Sequence, residues 1–82
     1  MKATIHITLK TGVLDPQGKA IENALGQLGF SGVEGVRQGK LIEIELTQTD
    51  ADKAKAGLTD MCEKLLANTV IENYEIHLDS SE

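Results

Sequence analysis

The sequence predicts an α+β, two-layer sandwich of βαββαβ order, with a four-stranded antiparallel sheet and two helices on one of its faces. Three observations predict it. Residues 2–9 and 41–47 alternate apolar and polar side chains, the period of strands with one buried face. Two stretches, opening at Pro16 and near Asp50, repeat apolar residues at helical spacing behind capping side chains. Glycine-bearing breaks at 29–32 and 39 divide the middle of the chain into further short elements.

In the first strand, Ala3, Ile5, Ile7 and Leu9 share one face, and Lys2, Thr4, His6 and Thr8 the other. Residues 10–21 then hand a strand over to a helix. Asp15 is placed to accept a hydrogen bond from a free amide of the first turn. Pro16 follows at the first helical position, where its missing N–H costs nothing. Gly12 and Gly18 flank this corner, and a glycine inside a first turn costs up to ~1 kcal/mol relative to alanine. Gly18 is therefore either a tolerated imperfection or the mark of a close approach by another backbone, a ligand or a partner protein. Ile21, Ala24, Leu25 and Leu28 form the helix's apolar stripe, and Gly26 is expected where the helix lies close on the sheet. Gly29 supplies a left-handed end, with Phe30 folding back behind it.

Residues 31–47 read as a hairpin. Val33 to Gln38 is the second strand, interrupted by Gly35; Gly39-Lys40 makes the turn, and Leu41 to Thr47 is the third strand. In that third strand Ile42, Ile44 and Leu46 point inward. Thr49 or Asp50 caps the second helix, whose expected buried stripe is Ala54, Leu58, Met61, Cys62 and Leu65. Asn68 ends it in a left-handed conformation. The last strand runs from Ile71 to Leu78, with Tyr74, Ile76 and Leu78 inward. Right-handed crossovers leave one main topology, a ferredoxin-like sandwich with the first and third strands central. Residues 1–78 are expected to form one domain and residues 79–82 a polar tail.

Composition narrows the function classes. An 82-residue chain buries only ~60–65% of the surface that its unfolded form exposes. With one Phe, one Tyr and no Trp, the core must come from aliphatic side chains, and oligomerisation would help it. A net charge of −5 without a basic patch argues against nucleic acid and anionic membranes. There is no apolar run of membrane-spanning length, and alternation rather than a signal-peptide core follows Lys2. The single cysteine excludes an internal disulfide and fits a reducing, cytoplasmic setting.

No residue set is laid out for catalysis. His6 and His77 should both stand on the uncovered sheet face with Glu43, Glu45 and Glu75, but their spacing matches no metal motif. Cys62 lies on a buried stripe, where a free thiol acts as a small hydrophobe. Gly32 to Arg37 resembles the phosphate cradle of acylphosphatases, yet it follows the first helix instead of preceding it, so no helix N-terminus stands behind its arginine.

Three stretches carry a broader resemblance. Leu9-Lys10 through Val13-Leu14-Asp15-Pro16-Gln17-Gly18 into Ala20-Ile21 is the first. Val33 through Val36-Arg37 and Gly39-Lys40 to Ile42-Glu43 is the second. Met61-Cys62-Glu63-Lys64-Leu65-Leu66-Ala67-Asn68 with Val70-Ile71-Glu72 and Tyr74 is the third. In this order and spacing the chain resembles the PurS family, the small subunit of phosphoribosylformylglycinamidine synthase in purine biosynthesis. Where many members carry proline after the alanine-asparagine pair, this chain has Thr69, which leaves Asn68 to end the helix. The resemblance implies a non-catalytic subunit with no cofactor of its own, in a complex that uses ATP, magnesium and glutamine. It implies a homodimer or dimer of dimers that bridges a synthetase and a glutaminase and supports ammonia transfer between them. The residues expected to meet partners are Asp15, Gln17, Gly18, Lys19, Arg37, Lys40 and Asn68. The alternative is a small regulatory module that binds an amino acid or nucleotide between two protomers.

Overall fold

The computed structural model describes residues 1–79. Of the tail expected over 79–82, Asp79 instead closes the last strand, and the rest lies outside the described residues. The elements are β1 (Lys2–Leu9), α1 (Pro16–Gln27), β2 (Lys40–Glu45), α2 (Ala51–Met61) and β3 (Glu72–Asp79). A π-helical turn, Cys62–Leu66, continues α2. Among the described residues the sheet has three strands in the order β2-β1-β3, both pairs antiparallel. Ile5 sits opposite Ile42 on one side and Ile76 on the other. That register puts all inward apolar positions on one face, as the alternation requires.

Ala3, Ile5 and Ile7 of the central strand form one buried cluster with Leu58, Cys62 and Ala67, and Ala54 of α2 is buried as well. Ile42, Ile44, Leu46, Tyr74, Ile76 and Leu78 are partly buried around this centre. The Asp50 side chain caps α2 by accepting the amides of Asp52 (2.9 Å) and Lys53 (3.3 Å).

Four expectations are corrected. The first is the fourth strand: the described residues hold three strands, no hairpin forms, and residues 33–38 join no sheet. Their polar groups are engaged elsewhere, because Gln38 N–H donates to the Asp15 carboxylate and Arg37 reaches the carbonyls of Leu9, Lys10 and Val13. Three glycines in positions 32–39 weaken the strand further.

Second, α1 does not lie on the sheet. Beyond its first turn it packs along no other element of the described residues. Ile21 is 41% and Leu28 is 73% exposed, and Gly26 faces open space. The helix is nonetheless well made. Its end is closed by Phe30 N–H on Leu25 O (3.0 Å) and Gly29 N–H on Gly26 O (3.1 Å), with Gly29 at φ +93°. The molecule is accordingly long and thin, 48 × 29 × 14 Å.

Third, Met61 and Leu65 are exposed and do not belong to the buried stripe of α2. For Leu65 the cause is the π-helical turn, whose wider winding rotates the positions after Cys62 off the core-facing line. Met61 precedes that turn, and Cys62 beside it takes the buried place. Fourth, no non-glycine among the described residues has a positive φ, so Asn68 does not take the left-handed conformation. It ends the helix through hydrogen bonds instead. Its carbonyl accepts from Ile71 and Glu72 and its side chain from Val70 (3.3 Å).

Candidate functional site

The end of the sheet where β1 leaves for α1 and β2 begins holds a cluster of side-chain hydrogen bonds and ion pairs. Asp15 is its centre. One carboxylate oxygen accepts Gly18 N–H at 2.8 Å, which caps α1; the other accepts Gln38 N–H, also at 2.8 Å. The Arg37 guanidinium lies 4.0 Å from the same group. The Gln38 and Gly18 amides, with Arg37 beside them, hold the Asp15 carboxyl below the ordinary aspartate range.

Arg37 itself closes the corner from outside. It donates to Leu9 O (3.0 Å), Lys10 O (3.2 Å) and Val13 O (3.3 Å), three carbonyls of the turn that leaves β1. Gly18 sits beneath the returning chain, and a Cβ there would collide with the Val36 carbonyl oxygen and lie 2.7 Å from Asp15 Oδ2. Of the approaches weighed for Gly18, the one found is another backbone, and it belongs to the same chain.

A cleft of about 350 Å³ opens beside this corner, lined by Ile7, Leu9, Asp15, Pro16, Gln17, Gln38, Gly39, Lys40 and Glu72. A more open hollow on the far side of Asp15 includes Lys19 and Arg37. Six of the seven expected partner residues therefore gather around one carboxylate. Lys19 pairs with Glu22 at 3.1 Å on the exposed side of α1. Asn68 lies outside both hollows and joins the corner through Glu72, whose carboxylate accepts Asn68 N–H at 2.7 Å and meets Lys40 Nζ at 3.3 Å.

Glu72 was not singled out in the sequence. It is 9% exposed, and the Asn68 amide and Lys40 hold its carboxyl below the ordinary range. The signal was present: Glu72 shares its strand parity with Tyr74, Ile76 and Leu78, so an acid falls on the apolar face of β3. The arrangement is a braced corner of ordered amides, carboxylates and two cations, suited to hydrogen bonding with another polar surface.

The other candidates resolve as structure. On the outer sheet face, His77 Nε2 is 2.7 Å from Glu75 Oε1, and the His6 and His77 rings meet edge to face at 5.0 Å. Among the described residues no three His, Cys, Asp or Glu side chains could hold a metal ion together. Cys62 is buried, and desolvation pushes its thiol up. Tyr74 donates to Glu63 Oε2 at 2.6 Å, which pushes the phenol up to about 12.

Residues 2–80 match the family model described as PurS, phosphoribosylformylglycinamidine (FGAM) synthase. The PurS subunit of Synechocystis is 49% identical over 78 residues, 95% of this chain and 78% of that protein. The PurS subunit of Methanocaldococcus jannaschii is 46% identical over 81 residues, 99% and 98% of the two chains. The crystal structure of that archaeal PurS superposes with a TM-score of 0.89 over 99% of this chain and 98% of that one. A chain of the PurLQS structure from Thermotoga maritima superposes with a TM-score of 0.84 at 35% identity, covering 93% of each.

Proposed function

The chain belongs to the PurS family of phosphoribosylformylglycinamidine synthase subunits, and we propose that it meets its partner subunits through the corner braced by Asp15. Within purine biosynthesis it serves as a subunit of that synthase, not as a catalyst on its own. Its partners are the synthetase and glutaminase subunits, the other members of a PurLQS assembly. ATP, magnesium and glutamine are handled by those two subunits, in the cytoplasm, while this chain, as a homodimer or dimer of dimers, joins them and supports ammonia transfer. The observation that carries the reading is the near-complete overlap with a chain of PurLQS, 93% of each.

The docking role of the corner is supported by its chemistry. Asp15 and Arg37 rigidify the first turn of α1, so Gln17 and Lys19 are presented from fixed backbone at the positive end of a helix dipole. Pre-ordered polar groups lose less entropy on binding than mobile ones.

The test is reconstitution. Glutamine-dependent turnover by purified synthetase and glutaminase should need this chain, whereas turnover with an ammonium salt should not. Undiminished glutamine-dependent activity without it would refute the assignment.

A further inference from the structure

The cleft beside the Asp15 corner places two acids among apolar side chains. Ile7, Leu9 and Pro16 supply its apolar lining, and Asp15 and Glu72 lie among them. The two acidic side chains are only 8% and 10% exposed. Backbone amides keep them ionised at neutral pH: Gly18 and Gln38 donate to Asp15, and Asn68 donates to Glu72. A carboxylate has about four lone-pair sites, so these amides leave acceptor capacity on both groups.

Cations contribute less to holding these charges. Arg37 is committed to three backbone carbonyls, and its Nε stays 4.0 Å from Asp15. Lys40 meets Glu72 at 3.3 Å from a side chain that is 62% exposed. With its ammonium largely in solvent, that pair is weak. Docking over the corner would remove what water remains at the two acids. A desolvated carboxylate is strongly unfavourable unless a cation meets it, so a neutral or acidic surface laid there would strand two negative charges. The lining also suits a long stem, because Lys and Arg bury their methylenes along apolar surface while the head finds its counter-charge. The free chain already shows the pairing: the group standing at Glu72 is an ammonium.

We infer that the cleft receives a basic side chain of a partner subunit, its stem along Ile7, Leu9 and Pro16 and its cationic head at Glu72, in place of Lys40. The inference rests on the reading of the corner as a docking surface and names what that surface recognises. Asp15 adds negative charge to the same cleft, and Lys40 gives way toward solvent. The corner thereby selects by charge, since a partner that presents an acid at this point meets like charges.

Titration of purified synthetase and glutaminase with the full chain, followed by glutamine-dependent turnover, gives the apparent affinity of each variant. Glu72→Gln keeps an acceptor for the Asn68 amide and removes the charge. It should weaken association roughly 30-fold or more, the effect of leaving one member of a desolvated ion pair alone. Lys40→Met keeps the stem and removes the competing ammonium. It should tighten association roughly twofold to fivefold, the strength of the exposed pair that no longer has to open. This second variant decides the matter where the denaturant midpoint shows Glu72→Gln to be poorly folded. Equal or weaker association of Lys40→Met overturns the inference, and so does unchanged affinity of a folded Glu72→Gln. Gln17→Ala separates the two readings. If it weakens association while Glu72→Gln does not, the corner docks without a basic guest; if neither does, the corner is no docking surface.

Discussion

The carbonyl oxygen of Val36 lies over Gly18 so closely that no Cβ fits between them. Gly18→Ala must therefore push the 36–38 segment off the first turn of α1 or distort the turn, at about 1–3 kcal/mol of stability, the usual cost of overpacking. Gly26→Ala, in open space on the same helix, should instead stabilise by about 0.5–1 kcal/mol. Denaturant midpoints of the two variants should move in opposite directions.

Acid should loosen the corner. The folded-state carboxyls of Asp15 and Glu72 titrate below their ordinary values of 3.8 and 4.5. Between folded and unfolded values the unfolded chain binds more protons, so stability rises with pH there. Their contribution is complete at neutral pH, declines as pH falls past those ordinary values, and is lost below the depressed folded ones. Asp15→Asn should flatten this acid limb in a pH series of urea midpoints, and an unchanged limb would show that Asp15 is not its source.

Cys62 is fully buried among apolar side chains, and its thiol is pushed up by desolvation. Native protein should resist alkylation at neutral pH and react quickly once unfolded. Cys62→Ser, which buries a hydroxyl in the same place, should cost about 1–3 kcal/mol. Mass spectrometry of alkylated samples across a denaturant series checks the first point and thermal melts the second.

Gln17 lines the cleft from the exposed first turn of α1. Gln17→Ala should leave stability within about 0.5 kcal/mol of the parent, yet reduce capture by the synthetase and glutaminase. Unchanged capture would remove the corner from the docking surface.

Local elements were legible because neighbouring residues decide them. Asp15-Pro16 starts α1, Gly29-Phe30 ends it, Asp50 caps α2, and alternation orients β1, β2 and β3 with their inward sets as read. The braced corner was legible in part: Asp15 as a cap and Gly18 as a close approach, but not Val36 and Gln38 as the groups that approach. Those contacts join residues about twenty positions apart, and no local pattern encodes them. Residues 33–38 show the same limit, since their reading as a strand interrupted by Gly35 could not reveal that Asp15 and Arg37 would claim the segment before β2 could. Only the tertiary structure decided where α1 goes. An apolar stripe demands a cover, but its spacing is identical whether that cover is its own sheet or another surface, and the bonds at the root of the helix make the choice.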